Sequence, residues 1–192
     1  MARRIESQFR LLPLEKITVG PYDNFDPFVS DGNRFLLFSR KIQLTPRVYY
    51  QKIGSEKTIN LIDDRFDTRS PSISIGGDKM AFISYHRKSS GEVCFKKIDL
   101  EERSFDCIEA EESGDVQNPF WLNQQKLGYL TRYIYENRNE LKIYDLHTKK
   151  IEIIKSGSIY SPRSDTAGQR IVYLEKMALK QQWGHSEANK IV

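Results

Sequence analysis

The sequence lacks the long apolar stretch that a membrane-spanning helix needs. None of its 192 residues belongs to an uninterrupted apolar run of about eighteen residues, so no transmembrane helix is encoded. The first residues are basic, as in a signal peptide, but Arg10, Glu15 and Lys16 interrupt the apolar segment that such a peptide requires. The sequence therefore predicts either a cytoplasmic protein or an exported protein whose signal lies outside this sequence.

Signatures of the common enzyme classes are also missing. There is no Gly-x-Ser-x-Gly segment of a serine hydrolase, no Gly-x-Gly-x-x-Gly turn and no Gly-x-x-x-x-Gly-Lys phosphate loop. The three histidines are far apart in sequence. The acidic group Asp63, Asp64 and Asp67 lacks the alternating ligands and central Gly of a calcium loop. These absences predict no catalytic residue, no cofactor and no metal site.

The sequence also lacks a large excess of charge of one sign, and it contains few cysteines. The 30 basic and 26 acidic residues are finely mixed and leave a net charge of +4, which indicates a solvated surface and no nucleic-acid partner. The two cysteines, Cys94 and Cys107, fall on adjacent predicted strands close to register, so a cross-strand disulfide is conceivable. The pattern favours the simpler interpretation of two small apolar side chains in a sheet.

One phrase, in contrast, recurs four times along the chain. A Pro that follows a small polar or acidic residue precedes, by seven or eight residues, a basic residue that opens a short apolar strand. The four copies start at Asp26-Pro27, Ser70-Pro71, Asn118-Pro119 and Ser161-Pro162, and their basic residues are Arg34, Lys79, Lys126 and Arg170. The prolines are 44, 48 and 43 residues apart, and self-similarity at this period with strand-like content indicates a repeat architecture.

Each repeat is predicted to form four short strands. A turn such as Asp31-Gly32 leads from the inner strand to the second strand. The third strand alternates apolar and polar residues, as in 48–53, 93–98 and 141–146, and a fourth strand follows. Four antiparallel strands per forty-odd residues describe a β-propeller blade. Five strand aromatics at matching positions are predicted to pack blade against blade: Phe35, Phe38, Phe82, Tyr129 and Tyr173.

The repeat resembles a known family. The segment from Pro27 to Ser39, with Ser-Asp-Gly before the basic residue, is similar to the TolB-like (WD40-like, PD40) β-propeller repeat, and Asp145 to Lys149 match the end of its blade. The resemblance begins near residue 20, although Gly77-Asp78, Gln124-Gln125 and Gly168-Gln169 replace the Asp-Gly turn in the later copies. It implies a role in the bacterial cell envelope, often as a periplasmic protein that docks a lipoprotein or membrane partner.

The repeats divide the chain into one all-β propeller domain or propeller fragment. Its predicted blades cover 21–66, 67–114, 115–157 and 158–192, of which the first three are complete. Residues 9–20 resemble an orphan outer strand, and the fourth blade stops within its third strand. The chain is therefore expected to be a fragment of a larger propeller, a four-bladed ring closed by the N-terminal strand, or a protein completed by a second chain through open blade edges.

One face of such a propeller is predicted to bind a partner. The loops between second and third strands are basic here, the connections between blades are acidic, and both lie on the same face. Faces that carry arginine and aromatic residues are typical of protein-binding surfaces. The candidate residues are Arg40, Arg47, Arg87, Arg132, Tyr133, Asp64 and Asp115.

We therefore expect a non-enzymatic TolB-like scaffold for protein–protein interaction. One alternative is the substrate-gating propeller of a prolyl-oligopeptidase-type serine peptidase whose hydrolase domain lies outside this sequence. Another alternative is a glycan-binding propeller, which would present aromatic residues at the channel mouth. Fold alone does not separate these functions.

Overall fold

The computed structural model describes residues 16–18, 20–62, 65–109, 114–165, 167–178 and 187–191. Within these ranges the chain forms fifteen β-strands and one short 3₁₀ turn, Asp31–Asn33. Sheet 1 contains β1 (Asp23–Val29), β2 (Phe35–Ile42), β3 (Thr45–Lys52) and β4 (Thr58–Asn60). Sheet 2 contains β5 (Thr68–Ile73), β6 (Lys79–Ser84), β7 (Glu92–Lys97) and β8 (Asp106–Cys107). Sheet 3 contains β9 (Asp115–Trp121), β10 (Lys126–Tyr133), β11 (Arg138–Asp145) and β12 (Ile151–Gly157). Sheet 4 contains β13 (Ile159–Ser164), β14 (Ile171–Ala178) and β15 (Glu187–Ile191).

Every sheet follows chain order, and each strand pairs antiparallel with the next. The first strands of successive sheets lie innermost and contact one another in the order β1, β5, β9, β13. Consecutive antiparallel sheets that meet at their first strands form an open, partial β-propeller. The predicted fold class is therefore confirmed.

The repeated Pro marks a bulge in each inner strand. The residue before it has a positive φ in all four sheets: Asp26 (49°), Ser70 (53°), Asn118 (50°) and Ser161 (50°). The ladder to the second strand shifts register at the same places. Asp and Asn tolerate this left-handed conformation, and Pro, which has no N–H to pair, is accepted where a ladder is interrupted. The phrase that recurs in the sequence is thus the signature of a bulge.

The four bulges surround a central hollow of about 70 Å³. Prolines and polar side chains line it: Asp26, Pro27, Phe28, Ser70, Pro71, Asn118, Pro119 and Arg163. The Ser70 hydroxyl donates a hydrogen bond to Asp26 across 3.0 Å, which links the inner strands of sheets 1 and 2.

The hydrophobic core consists of separate layers between neighbouring sheets. In each sheet the residue that opens the turn before the second strand donates a backbone hydrogen bond to the carbonyl of the residue that closes it. The closing residues are Phe35, Lys79, Lys126 and Arg170, which are therefore equivalent. Phe38, Phe82, Tyr129 and Tyr173, each three residues further on, are therefore equivalent. Phe82, Tyr129 and Tyr173 pack in the layer shared with the preceding sheet, as predicted, whereas Phe38 packs on the outer face of sheet 1 among residues of its own sheet. The prediction that Phe35 shares this position is wrong, because Phe35 lies three residues before it. Phe35 occupies the position of Lys79 and packs in the layer between sheets 1 and 2.

Polar contacts between turns fasten the sheets near the hollow. Gln124 in the β9–β10 turn donates to the Ile75 carbonyl at 2.8 Å and accepts from Lys79 at 2.7 Å through its own carbonyl. The Ser164 hydroxyl donates to the Trp121 carbonyl at 2.6 Å. Because these bonds join consecutive sheets, the inner turns form one continuous surface.

The cysteines form the disulfide bond Cys94–Cys107, so the favoured interpretation of two unbonded side chains is wrong. The two residues are direct partners in the ladder between β7 and β8. Strand β8 has only two residues, and its remaining ladder partner pair is Phe95 and Asp106. The sequence pattern placed the two cysteines close to register but could not decide between a disulfide and two unbonded residues, because Cys94 is fully buried like an ordinary core residue.

Part of the sequence prediction lies outside the described residues. The proposed outer strand at 9–20 falls mostly there, as does Asp64. Of the described residues in that segment, Ile17 accepts a hydrogen bond from the Gln51 side chain at 2.8 Å through its carbonyl. The described part of the chain has no helix long and apolar enough to cross a membrane. It also has no cluster of three or more side chains suited to a metal ion.

Candidate functional site

The β10–β11 hairpin of sheet 3 carries two neighbouring exposed apolar residues, Ile134 and Tyr135, on the loop face. Its turn is closed by backbone hydrogen bonds from Glu136 to Tyr133 and from Asn137 to Ile134, both 3.2 Å long. Asn137 takes a positive φ of 47°, which Asn accepts more readily than most residues. The turn holds Ile134 and Tyr135 away from the sheet, with 56% of Ile134 and the whole of Tyr135 exposed.

A network of charges and hydrogen bonds fixes the base of this hairpin. The ammonium of Lys142, only 1% exposed, lies 3.2 Å from Glu140 and donates to the Tyr133 hydroxyl at 3.1 Å. That hydroxyl in turn donates to Glu140 at 3.1 Å. Arg138 pairs with both Glu140 and Glu136, the latter at 2.7 Å, and its guanidinium lies 4.4 Å from the Tyr133 ring centre.

The pKa shifts follow from these contacts. Burial raises the pKa of Glu140, but hydrogen bonds from Arg138, Lys142 and Tyr133 outweigh burial, and the pKa of Glu140 lies below its usual value. Burial raises the pKa of Tyr133 despite the hydrogen bond from Lys142. Glu140 is therefore ionised and Tyr133 protonated at neutral pH, which is the combination that the network of donors and acceptors requires.

A hollow of about 190 Å³ lies between the hairpin and the start of β9. We call its lining the hairpin-tip surface: Gly114, Asp115, Arg132, Tyr133, Ile134, Tyr135 and Glu136. Gly114 lets the two segments approach closely, because a Cβ there would lie 2.4 Å from the Thr131 side chain and 3.2 Å from the Arg132 carbonyl oxygen. The ladder places Asp115 opposite Arg132, so a carboxylate and a guanidinium flank the aromatic tip.

The structure brings together three of the predicted site residues, Asp115, Arg132 and Tyr133. Arg87 lies on the neighbouring hairpin, between β6 and β7 of sheet 2, where it forms a bidentate ion pair with the buried carboxylate of Glu92 at 2.9 and 3.0 Å. That hairpin contacts sheet 3 through a hydrogen bond from Val116 to the Ser90 carbonyl at 3.2 Å.

Arg40 does not present its charge at the surface. It is only 5% exposed, and its guanidinium donates to Asn24 at 2.8 Å and Thr58 at 3.1 Å. Three aromatic rings surround it at about 5 Å: Tyr22, Phe38 and Tyr49. Arg47, its ladder partner, is half-buried. We therefore leave both arginines out of the hairpin-tip surface.

Sequence reasoning missed Ile134 and the buried pair of Lys142 and Glu140. An apolar residue beside Tyr135 within a charged turn was the available signal for Ile134. No comparable signal marked the pair, since Glu140 and Lys142 alternate with apolar residues as on a solvated strand face.

Comparison with known proteins identifies the fold only. No protein-family profile and no curated protein sequence matches the chain. Among solved structures, TolB from Acinetobacter baumannii is similar with a TM-score of 0.63 and 20% identity over 79% of this chain. A puromycin-hydrolysing peptidase from Mycobacterium tuberculosis gives a TM-score of 0.61 and 12% identity over 80%. The β-propeller domain of the Trilobed protease from Pyrococcus furiosus gives a TM-score of 0.58 and 16% identity over 89% of this chain.

The chain spans only part of each of these proteins. It covers 37% of the TolB chain, 28% of the peptidase and 54% of the Trilobed protease domain. At such low identities the likeness concerns the propeller fold alone.

Proposed function

We propose that the chain is a non-enzymatic β-propeller scaffold that binds a protein partner through the hairpin-tip surface. The observation that carries this proposal is the pair Ile134 and Tyr135, exposed at the end of a hairpin whose base is locked by buried charges. An exposed aromatic residue on a rigid support gains contact area at little entropic cost on binding. Arg132 and Asp115 beside it supply the polar rim that protein interfaces carry.

Likeness to TolB and the disulfide support a place in the cell envelope. The resemblance of the repeat to the TolB-like family implies docking to an envelope partner, and a TolB is among the similar structures. The bond between Cys94 and Cys107 is the kind that persists in oxidising compartments, such as the periplasm. We propose a periplasmic protein on these two grounds.

A peptide library displayed on phage tests the binding surface. Peptides selected on the purified chain are measured by biolayer interferometry against the wild type and against a variant with Ile134→Ser and Tyr135→Ser. A hot spot of about 2 kcal/mol corresponds to a loss of roughly thirtyfold in affinity. We expect such a loss for most of the selected peptides.

Leu100→Ser is the matched control. Leu100 is also an exposed apolar residue, but it lies between β7 and β8, on the opposite face of the propeller. We expect this substitution to leave peptide binding unchanged. Selected peptides that bind the double variant as tightly as the wild type would place the binding surface elsewhere and contradict the proposal.

A second candidate function is the gating propeller of a serine peptidase. It is favoured by the similar structures that are named as a peptidase and as a protease propeller domain. In this case the chain would restrict access to a hydrolase domain encoded in the same reading frame. A Gly-x-Ser-x-Gly segment in the flanking reading frame would support this function over the scaffold.

A further inference from the structure

The two cysteines of the disulfide in sheet 2 lie in different surroundings. Cys94 is fully buried in the apolar layer between sheets 1 and 2, which also contains Leu61 and Phe82. Cys107 is only half-buried and lines a hollow of about 360 Å³ beside the outer strand of sheet 2. A molecule from solvent can therefore reach the bond from the side of Cys107, whereas the side of Cys94 is closed by packing.

The hollow lies between the β6–β7 hairpin and the segment that contains β8. Five side chains line it: His86, Arg87, Phe105, Asp106 and Cys107. Its walls are held in place, because the His86 ring stacks on the Phe66 ring with centres 3.7 Å apart and Arg87 is bound to Glu92. Its volume lies within the range of about 300 to 1,000 Å³ that small-molecule sites occupy.

The chemistry of the bond selects what reacts in this hollow. A disulfide is opened by a thiolate, and the reaction depends on which sulfur the thiolate can reach. A negatively charged thiolate is attracted by the Arg87 guanidinium and repelled by the Asp106 carboxylate, both of which line the hollow with Cys107. The hollow therefore suits a low-molecular-weight thiol, and the charge of Asp106 opposes its approach.

We propose that Cys107 is the site at which a low-molecular-weight thiol attacks and opens this disulfide. The thiolate forms a bond to Cys107 Sγ, while Cys94 leaves with the electron pair of the broken bond and takes up a proton. The Glu92 carbonyl oxygen, 3.7 Å from Cys94 Sγ, is placed to accept a hydrogen bond from the new thiol. A second thiolate then attacks the sulfur of the bound thiol and expels Cys107, which is protonated in turn. Two thiols are thereby oxidised to one disulfide, and the chain gains two electrons and two protons.

The bond then acts as a redox-sensitive latch on the outer strand of sheet 2. Strand β8 has two residues, whereas the outer strands β4 and β12 of the neighbouring sheets have three and seven. The shortest of these strands is thus the one that carries a covalent link to its neighbour, through the ladder pair Cys94 and Cys107. Thiol attack at Cys107 therefore controls whether β8 is held, independently of the function proposed for the hairpin-tip surface.

Reduced glutathione, added to the native oxidised chain, is the probe that tests this site. The reaction is stopped at intervals with N-ethylmaleimide in guanidinium chloride, and trypsin separates the two cysteines because Lys96 and Arg103 lie between them. We expect the glutathione adduct on the Cys107 peptide to exceed that on the Cys94 peptide by at least about tenfold. Equal or greater adduct on Cys94 would overturn the proposal. So would a reduction rate that rises with urea as steeply as the unfolding equilibrium, since the bond would then open only in the unfolded chain.

Two matched variants test whether the thiol enters through the hollow. Asp106→Asn and Glu101→Gln remove the same charge, but Asp106 lines the hollow, whereas Glu101 is exposed outside it in the β7–β8 connection. Removing a repelling charge at a separation of roughly 6 Å in water speeds attack by about threefold. We expect this gain in the rate of reduction for Asp106→Asn and no gain for Glu101→Gln. Equal rates for the two variants would show that the thiol approaches from elsewhere and would overturn the proposal.

Discussion

Reducing the disulfide is expected to free the outer strand of sheet 2. Strand β8 has two residues, and besides the disulfide its ladder is extended only by the hydrogen bond from Ile108 to the Val93 carbonyl, at 2.9 Å. Phe105 next to it packs on the buried layer that contains Phe82, with ring centres 5.3 Å apart. Release of the strand therefore exposes part of the layer between sheets 1 and 2.

The sequence separation sets the size of the effect. The bond joins residues 13 positions apart, and closing a loop of that length lowers the entropy of the unfolded chain enough to stabilise the folded state by about 3 kcal/mol. This difference changes the equilibrium between folded and unfolded chain by more than about a hundredfold. Single substitutions in most proteins have smaller effects.

Urea unfolding with and without a phosphine reductant measures the contribution of the disulfide to the free energy of unfolding. We expect the reductant to lower the free energy of unfolding of the wild type by about 3 kcal/mol. Cys107→Ser is the matched control, because it lacks the bond in both conditions. Its unfolding should match that of the reduced wild type and should not respond to the reductant.

Two results would refute this reasoning. One is an intact mass of the purified, oxidised chain that shows two free thiols, since the bond between β7 and β8 would then be absent. The other is equal stability of the wild type with and without reductant, which would mean that β8 is held by packing alone. The first result would also weaken the argument for an oxidising compartment.

Three further substitutions test the charge network and the backbone, all by urea unfolding. Glu140→Gln leaves the Lys142 ammonium buried without its carboxylate and should lower the free energy of unfolding by about 3 kcal/mol. Adding Lys142→Met in the same chain should restore part of this loss. Equal stability of the single and double variants would contradict the pairing. Because the folded-state pKa of Glu140 is lowered, its stabilisation should be complete above the ordinary value of 4.5 and disappear as the pH falls through the folded-state pKa. Gly168→Ala places a Cβ against the carbonyl oxygen of Leu122 in the turn between β9 and β10, and it should lower the free energy of unfolding by at least about 2 kcal/mol more than Gly54→Ala does. Gly54 has a positive φ but an open site, so its substitution should lower that free energy by about 1 kcal/mol. Similar losses for the two variants would show that the turn moves freely. Asn118→Ala should lower the free energy of unfolding by about 1 kcal/mol and Asn118→Gly should leave it almost unchanged, because only the alanine strains the left-handed bulge. A glycine variant less stable than the alanine variant would contradict the bulge geometry.

The propeller fold could be predicted because the repeated Pro phrase reflects two structural features, the bulge in the inner strand and the length of a blade. The pair before each second strand places a left-handed residue and a Pro at the bulge, and its spacing gives the length of a blade. The alignment of the second strands with one another was harder to predict from the sequence. The basic residue that served as a marker in the sequence is offset by one in the first repeat, where Phe35 and not Arg34 closes the turn. Side-chain identity did not reveal that offset, since the alignment depends on backbone hydrogen bonds.

The candidate site was predictable only in part. The structure places Asp115, Arg132 and Tyr133 around one hollow, because strand order fixes which loops share a face. Arg40 was placed in the candidate face on the assumption that arginine is exposed, but its long side chain is enclosed by aromatic rings. The pair Glu140 and Lys142 is buried because sheet 2 covers that face of sheet 3, which the pattern of a single strand does not indicate.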